Sequence, residues 1–383
     1  MQPEDRIKLL YLSVHDPHVP LTGTGARVGA FVNHLAARHH VDLVYLDGSG
    51  QPPSAKLSAH YAQSVTGVAS KTRIPFSQRA YFLFSRALYR AAAARLKNER
   101  YDYIVCDYGL SAVYGLLLSR RFRTPFIYSS HNIEFRQHLG KARLDPRRLP
   151  IAMYMYAAER LAVTHARCVV AIAPADADEY ARWTPRDTML VIPQGFDEHQ
   201  FNPWYSPPHN SRKTILFCGN FKIQTNRQVV DTVMEHILAP VLAQYPDALF
   251  RFVGSWPPLD VTHPNVEFTG FLEDYAGALK QADVVISPML QGWGFPTKIV
   301  EALACGKPTV TTPVGGRALE KDYHILKFAE IGAFGAQICR SLAEAQPVTD
   351  VDHDKVKARY SWEANVRKLS DWIERDAGRV RCS

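Results

Sequence analysis

Residues 288–308 read PMLQGWGFPTKIVEALACGKP, and this stretch decides the fold class of the 383-residue chain. An apolar run of strand length, residues 284–287, comes directly before it. A glycine-bearing loop follows, and the pattern predicts a helix that begins at Thr297 or Lys298 and ends at Gly306. A strand, a glycine-bearing loop and a helix in this order are typical of a ligand-binding α/β domain.

The start of this predicted helix is a candidate anion site. Amides in a first helical turn have no intrahelical partner and lie at the positive end of the helix dipole. Gly292 and Gly294 would let a phosphate approach the backbone closely. Glu301 comes one turn later, where its carboxylate could accept two hydrogen bonds from a ribose diol. We therefore expect a nucleotide to bind here.

Strand and helix signals alternate on both sides of this stretch. Strand-like runs occur at residues 7–13, 41–46, 103–106, 126–128, 168–173, 214–218, 249–253, 266–269 and 309–311. Helical spacing occurs at residues 29–39, 229–244, 272–281, 298–305 and about 362–375. This alternation predicts doubly wound parallel sheets.

A turn-rich stretch without periodicity, residues 203–211, separates the two halves of the pattern and is the predicted linker. The sequence therefore predicts an amino-terminal Rossmann-like domain over residues 1–200 and a second over residues 201–360. A last helix, within residues 361–383, is expected to pack on one domain or to bridge both.

The motif that runs from Pro288 to Pro308 resembles the donor-binding signature of the retaining glycosyltransferases of family 4. Residues 191–197, VIPQGFD, are similar to the interdomain segment of that family, and FVG at 252–254 and FTGF at 268–271 follow in the family's order. The resemblance covers most of the chain. It implies the α/β fold called GT-B, with two Rossmann-like domains that face each other across a cleft.

The resemblance also implies an activity, which is transfer of a sugar from a UDP- or GDP-sugar to a hydroxyl of a glycan or lipid-linked acceptor, with retention of configuration. It implies that Glu301 holds the ribose, that Phe271 lies against the base, and that His131 of the SSHN segment faces the transferred sugar. His131 and Glu301 are thus the predicted catalytic residues. The other predicted donor-binding residues are Gly23, Gly25, Asn220, Lys222, Arg227, Gly292, Gly294, Phe295, Thr297 and Lys298.

The chain departs from the family pattern at two positions. Trp293 stands eight residues before Glu301, where the family has another glutamate, and Asn220 stands where an arginine that neutralises the diphosphate would fall. Lys222, Arg227 and Lys298 are the candidate replacement cations, with the last two preferred because each lies where a loop enters a helix.

The net charge of +8 is concentrated in the first half of the chain, where residues 51–150 hold 17 basic and 5 acidic side chains. A uniformly basic nucleic-acid-binding protein would not have this distribution, so no nucleic-acid partner is expected. Within the basic region, residues 78–90 interleave arginines with aromatic residues. They form either an ordinary helix with solvated arginines or, together with the rest of residues 71–148, a surface that contacts anionic lipid.

No apolar run reaches the roughly 18 residues of a membrane-spanning helix, and charged residues near Met1 leave no room for the apolar core of a signal peptide. We therefore expect a cytoplasmic protein, peripheral at the inner face of the membrane if the basic surface binds lipid. Such a surface would suit an acceptor on an undecaprenyl diphosphate or lipopolysaccharide carrier.

Two other functions remain open at this point. Residues 23–29, GTGARVG, with Asp47 about twenty residues later, imitate the fingerprint of an NAD-dependent oxidoreductase, but nine residues separate them from the first predicted strand. The missing glutamate is consistent with a GT-B protein that binds nucleotides without catalysis.

A metal or resident cofactor is not expected. The acidic cluster at Asp350–Asp354 lacks the glycine and the final glutamate of a calcium loop and is predicted to be a solvated turn. The six cysteines are spread singly, in a pattern typical of small buried residues and not of a zinc site or a disulfide framework.

Overall fold

A computed structural model describes residues 6–17, 23–47, 64–69, 84–203, 212–291, 295–344 and 350–382. The chain forms two compact units. Unit 1 comprises Met1–Gln194 and Trp362–Ser383, and unit 2 comprises Gly195–Ser361. The division therefore falls six residues before the boundary predicted at residue 200, and the last helix belongs to unit 1.

Unit 1 is built on a parallel sheet of seven described strands. They are β1 (Lys8–Ser13), β2 (His40–Asp47), β3 (Ser64–Ala69), β4 (Tyr103–Asp107), β5 (Phe126–Ser129), β6 (Cys168–Ala171) and β7 (Met189–Val191). Their order in the sheet is β3-β2-β1-β4-β5-β6-β7. The α-helices before the division are α1 (Gly23–Ala36), α2 (Arg86–Asn98), α3 (Gly109–Phe122), α4 (Glu134–Leu144), α5 (Leu149–His165) and α6 (Pro174–Tyr180).

Unit 2 contains a parallel sheet of six described strands. They are β8 (Thr214–Cys218), β9 (Leu249–Val253), β10 (Val266–Gly270), β11 (Val284–Ser287), β12 (Thr309–Thr311) and β13 (Leu326–Phe328), in the order β10-β9-β8-β11-β12-β13. Its α-helices are α7 (Gln224–Thr232), α8 (Leu238–Leu242), α9 (Tyr275–Gln281), α10 (Thr297–Ala304), α11 (Ile331–Glu344) and α12 (Asp350–Tyr360). A π-helical turn, Val233–Ile237, joins α7 to α8.

The last helix, α13 (Trp362–Cys382), packs against α1 in unit 1. Its buried residues Trp362, Val366, Leu369, Ile373 and Ala377 recur at helical spacing, so one face of the helix is apolar and joins the core that contains Phe31. Asp376 adds polar contacts, since it accepts a hydrogen bond from the Tyr103 hydroxyl at 2.8 Å and pairs with Arg167.

The strand order reverses once in each sheet. In unit 1 the reversal lies between β1 and β4, and in unit 2 it lies between β8 and β11. Connections on either side of such a reversal run in opposite directions, which leaves the carboxyl ends of the two strands accessible to a ligand. The predicted fold class of two Rossmann-like α/β units is confirmed by these two sheets.

Several element predictions differ from the structure. The acidic cluster Asp350–Asp354 is not a solvated turn, because it forms the first part of α12 and Asp352 is only 3% exposed. The helix predicted over residues 29–39 begins earlier, at Gly23, and the helix predicted over 229–244 is interrupted by the π-helical turn.

Other predictions fall partly outside the described residues. They are most of the predicted linker, at residues 204–211, and the first part of the helix predicted at residues 78–90. Within the described ranges, every helix is too short or too polar to cross a lipid bilayer. The five cysteines whose side chains are described are buried and unpaired with one another.

Candidate active site

The carboxyl ends of β8, β9 and β10 lie unusually close together in unit 2. The Gly219 amide donates to the Val253 carbonyl at 2.9 Å, and the Gly254 amide donates to the Gly270 carbonyl at the same distance. Gly254 has φ +141°, and a Cβ atom there would lie 1.9 Å from the Gly219 carbonyl oxygen. Only glycine allows this backbone approach, which fixes the loop that follows β8.

Lys298 is anchored beside that loop. Its ammonium Nζ donates to Asn226 Oδ1 at 3.0 Å and lies 4.6 Å from the centre of the Phe217 ring. Asn226 in turn donates from Nδ2 to the Asn220 carbonyl at 2.8 Å. Helix α10 therefore brings a cation to the end of β8, at the point where the strand order reverses.

Glu301 lies one turn after Lys298 on the same helix. Its Oε2 atom accepts a hydrogen bond from the Tyr275 hydroxyl at 3.1 Å, and that hydroxyl lies 2.8 Å from the Cys218 thiol. Burial raises the pKa of Glu301 to about 7, although the Tyr275 hydrogen bond and the Lys298 charge act in the opposite direction. The carboxyl group therefore changes its charge near neutral pH.

The other two candidate cations have different surroundings. Arg227 donates to both carboxylate oxygens of Asp260, at 2.8 and 2.7 Å, and to Asp231 at 3.3 Å. The Lys222 ammonium lies 5.1 Å from the centre of the exposed Trp256 ring. Of the three, Lys298 is the cation that the structure brings next to Glu301.

The remaining predicted donor-binding residues of unit 2 occupy varied settings. Phe271 is 55% exposed at the end of β10, as a residue that stacks on a base could be. The Asn220 side chain accepts a hydrogen bond from the Lys222 amide at 3.0 Å. The Phe295 ring packs 5.6 Å from Tyr360, and the Thr297 amide donates to the Phe295 carbonyl at 3.0 Å. That amide is therefore already bonded inside its own turn.

Four predicted donor-binding glycines need separate mention. Gly292 and Gly294 lie outside the described residues. Gly23 and Gly25 lie in the first turn of α1, before residue 29, where the sequence predicted the helix to begin. The amides of a helix start remain a suitable environment for an anion.

In unit 1, His131 follows β5 and Asp107 ends β4. His131 Nε2 lies 2.9 Å from Asp107 Oδ2, and the two side chains are 6% and 0% exposed. The Tyr11 hydroxyl donates to Asp107 Oδ1 at 3.0 Å. Burial alone would raise the pKa of Asp107, but the charge and hydrogen bond of His131 and the charge of Arg27 outweigh it and hold the pKa below its ordinary value.

Three neighbours of the His131–Asp107 pair were not predicted from the sequence. Arg27, which is fully buried, donates to the carbonyls of Ile192 and Pro193 at 3.2 Å. His15 follows β1, and its ring lies 6.2 Å from that of His131 in a stacked orientation. Tyr108 has φ 74°, a strained value for a residue with a side chain, and its ring meets both imidazoles edge-on.

One signal in the sequence could have found Asp107 and His15. Both are polar residues that directly follow, or end, an apolar run of strand length, and ligand-binding side chains in parallel sheets occupy such positions. No comparable signal marks Arg27, because its guanidinium is buried by contacts with residues about 165 positions away.

Two buried carboxyl groups lie behind the His131 segment. Glu159 accepts hydrogen bonds from the Glu134 amide at 3.3 Å and the Phe135 amide at 3.0 Å, and the hydroxyls of Tyr128 and Tyr180 also donate to it. Glu134 is fully buried as well. Burial is the largest cause that raises the pKa of Glu134 to about 8 and that of Glu159 to about 7.

Among the described residues, no group of three or more His, Cys, Asp or Glu side chains is arranged to hold a metal ion. The polar groups gathered at the strand ends are instead a lysine and a glutamate in unit 2 and a histidine and an aspartate in unit 1. These groups can bind hydroxyls and phosphates.

Two family models match the chain. The model described as Glycosyltransferase Family 4 matches residues 21–200, and the one described as Glycosyl transferases group 1 matches residues 212–344. Among curated proteins, D-inositol 3-phosphate glycosyltransferase of Arthrobacter sp. (strain FB24) is 26% identical over 349 residues, which are 81% of this chain and 79% of that protein.

Solved structures show the same fold at low identity. HepE of Anabaena, in complex with UDP and glucose, is 15% identical with a TM-score of 0.68, over 96% of this chain and 99% of that chain. WaaG, a glycosyltransferase involved in lipopolysaccharide biosynthesis, is 16% identical with a TM-score of 0.65, over 95% and 99%. The predicted GT-B fold and the predicted resemblance to family 4 are confirmed.

The buried carboxyl groups of Glu134 and Glu159 predict a pH-dependent stability. Because their pKa values are raised on folding, their contribution is fully present below about pH 4.5, the ordinary value, and is lost as the pH rises through 7 and 8. Glu134→Gln keeps this site neutral, so it should flatten the decline in stability between pH 6 and pH 9, by an amount on the order of a few kcal/mol at the upper end.

Thermal and urea unfolding at several pH values measure this effect. Glu363→Gln is the control, since Glu363 forms only an exposed pair with Arg367 and such pairs contribute little. If the Glu134→Gln protein and the unaltered protein lose stability in parallel, the assignment of the raised pKa to Glu134 is wrong.

Proposed function

The chain belongs to the glycosyltransferases of family 4 and group 1, and on that basis we propose that it moves a sugar from a nucleoside diphosphate sugar to a hydroxyl of a glycan or lipid-linked acceptor, with retention of configuration. The observation that carries the donor part of the proposal is the pair of Lys298 and Glu301 on α10. Their side chains reach the carboxyl ends of β8 and its neighbours in unit 2.

The two side chains suit the two ends of a ribosyl diphosphate. A lysine ammonium binds phosphate oxygens as a compact positive charge. A carboxylate accepts two hydrogen bonds from a ribose diol, as acidic residues do in other Rossmann-like domains. Phe271, exposed at the end of β10, is proposed to lie against the base. Gly23, Gly25, Gly292 and Gly294 remain proposed contacts of the donor.

The proposed reaction exchanges one bond at the anomeric carbon for another. The bond to the diphosphate oxygen breaks, the acceptor hydroxyl oxygen bonds on the same face of the sugar, and the leaving phosphate takes the hydroxyl proton. Stabilisation of the negative charge that develops on the leaving group is assigned to Lys298, because the Thr297 amide at the helix start is already bonded to the Phe295 carbonyl. His131 is proposed to contact the transferred sugar and Glu301 the ribose, and neither forms a covalent bond.

The proposed donor is a UDP- or GDP-sugar. The structural neighbour from Anabaena binds UDP and glucose, and this supports a nucleotide donor of that kind. The relative from Arthrobacter is named for a phosphorylated acceptor, D-inositol 3-phosphate. A charged acceptor of this class agrees with the excess of cations in residues 51–150. We propose that no metal takes part, so transfer should persist when a chelator is added.

A surface of unit 1 supports a lipid-linked acceptor. On helix α5, Leu149, Met153 and Tyr156 are 46%, 65% and 39% exposed and recur at helical spacing, and the exposed Arg160 continues the same row. Arg147 and Arg148 precede this helix and are also exposed. Apolar side chains flanked by cations are typical of a helix that lies on an anionic membrane. We therefore propose peripheral binding at the inner face of the membrane.

The test of the proposed donor site uses Glu301→Gln. Only the ionised carboxylate of Glu301 can accept hydrogen bonds from both ribose hydroxyls, and burial raises the pKa of Glu301 to about 7. Affinity for UDP or GDP should therefore rise roughly tenfold between pH 6 and pH 8 in the unaltered protein, following the ionised fraction, and should change less in the Gln variant. Isothermal calorimetry measures both, and comparison of the two proteins cancels the titration of the nucleotide phosphate.

Tyr275→Phe provides a second measurement on the same site. It removes the hydroxyl that lowers the Glu301 pKa, so the rise in affinity should move to higher pH. Hydrolysis of a panel of UDP-, GDP- and ADP-sugars then identifies the donor. Absence of binding to any of these nucleotides at any pH would contradict the proposed function.

Another prediction concerns the cation that binds the diphosphate. Lys298→Met should weaken nucleotide binding by roughly tenfold or more, the cost of one lost charge-assisted interaction. Arg227→Met is the matched control and should change affinity less than about threefold, because the half-buried Arg227 is already paired with the exposed carboxylates of Asp231 and Asp260. The reverse result in calorimetry would assign the diphosphate to Arg227.

A separate prediction concerns the membrane surface. Arg147→Gln combined with Arg148→Gln should reduce co-sedimentation with vesicles that contain anionic lipid by roughly tenfold or more, since each cation near such a surface contributes about 1 kcal/mol. Met153→Ser should also reduce it. Leu259→Ser in unit 2, where the side chain is 95% exposed, is the matched control. Equal binding to neutral and anionic vesicles would refute the proposal.

A further inference from the structure

We propose that Asp107 is a positioning residue that fixes the proton of His131 on Nε2 and so leaves Nδ1 to accept a hydrogen bond from a substrate hydroxyl. The role of His131 in this statement rests on the proposed function. The relation between the two side chains does not, because it follows from their separation of 2.9 Å, their burial and the groups around them.

The surroundings of Asp107 keep it ionised. The Tyr11 hydroxyl donates to Oδ1 at 3.0 Å, His131 contacts Oδ2, and the buried Arg27 adds a positive charge nearby. Arg27 is itself held, because its two terminal nitrogens donate to the carbonyls of Ile192 and Pro193 and its guanidinium lies 4.4 Å from the Phe31 ring centre. Asp107 therefore presents a fixed negative charge to the imidazole.

An ionised Asp107 determines which nitrogen of His131 carries the proton. The ionised Oδ2 atom lies 2.9 Å from Nε2, where it repels a lone pair and attracts an N–H group, so the neutral ring carries its proton on Nε2. Because the carboxyl group is ionised, this proton belongs to the imidazole. In the neutral ring Nδ1 then keeps its lone pair, and it can accept a hydrogen bond but cannot donate one.

The other groups that face the pair do not compete for this arrangement. Burial is the largest cause that lowers the pKa of His15 to about 4, so His15 is neutral at pH 7. Tyr108 lies edge-on to both imidazoles, and burial and Glu134 raise the pKa of its hydroxyl. Burial and Asp107 raise the pKa of Tyr11 in the same way. All three side chains are uncharged around neutral pH.

The proposal predicts a specific change in Asp107→Asn. Since the Tyr11 hydroxyl donates to Oδ1, the amide oxygen of the asparagine should stay on that side and its NH₂ group should face His131. An NH₂ donor at that position requires a lone pair on Nε2, so the proton of neutral His131 moves to Nδ1. An aspartate-to-asparagine change beside a catalytic histidine has this effect in serine proteases.

The experiment measures the tautomer directly in the full chain. Nitrogen-15 NMR of histidine-labelled protein, with the His131 signal identified through His131→Gln, should show the Nε2–H form in the unaltered protein and the Nδ1–H form in Asp107→Asn. Asp102→Asn is the matched control, because Asp102 precedes the same strand and accepts from the Lys8 amide instead. The spectrum of the unaltered protein is decisive even if a variant fails to fold.

Transfer assays supply the second readout. Asp107→Asn should lower kcat roughly tenfold or more with a smaller change in KM, and it should have almost no further effect in a His131→Gln background. An Nδ1–H tautomer in the unaltered protein, or effects of the two substitutions that simply add, would overturn the proposal. If no sugar nucleotide is turned over, the proposed function fails, and the NMR result still decides the relation of Asp107 to His131.

Discussion

The reversal of strand order beside β1 and beside β8 is the constraint on which the functional residues of both units depend. A parallel sheet can be covered by helices on both faces, but at the reversal the two connections diverge and leave the strand ends uncovered. Asp107 and His15 reach such an end in unit 1, and Gly219 reaches one in unit 2. The polar side chains of unit 1 are thus held at the ends of its central strands.

The carboxyl groups of Asp107 and Glu301 show how different neighbours give the same functional group opposite properties. Burial favours the neutral form of both Asp107 and Glu301. Asp107 has the His131 imidazole and the Arg27 guanidinium beside it, and together they outweigh the burial. Beside Glu301, the Tyr275 hydroxyl and the Lys298 ammonium do not outweigh the burial, so the pKa of Glu301 rises to about 7. Asp107 is therefore suited to orient another side chain. Glu301 is suited to accept hydrogen bonds from the hydroxyl groups of a ligand.

The sequence predicted the fold well because the fold depends on local patterns. Apolar runs such as those at β8 and β11 have the length of buried strands, and the spacing of Lys298 and Glu301 on a helix follows from the 3.6-residue period. The predicted start of α1 was too late because the pair Gly23 and Gly25 is typical of a loop, although glycines also occur in the first turn of a helix. The helix at Asp350 was missed because few apolar residues mark its inward face, which contains the buried Asp352.

The parts of the candidate site that were not predictable depend on partners distant in sequence. Nothing in the sequence near Arg227 indicates that its guanidinium donates hydrogen bonds to Asp260, 33 residues later. This ion pair distinguishes Arg227 from Lys298. Likewise, the ionised state of Asp107 depends on Tyr11 and Arg27, which lie about 80 to 100 residues earlier in the chain. Hydrophobic periodicity identifies elements, but the charge state of a buried side chain is set by contacts that only the folded sheet creates.

Burying these charges costs stability, and the cost limits where they can occur. Removing one partner from a buried ionic group leaves the other without compensation, which is usually more damaging than never having had the pair. Arg27 illustrates the consequence. Its guanidinium holds the carbonyls of Ile192 and Pro193 and also supports the charge of Asp107, so the segment that closes unit 1 and the electrostatics of its central strand end depend on one side chain. A substitution at Arg27 would therefore disturb local structure and the charge of Asp107 together.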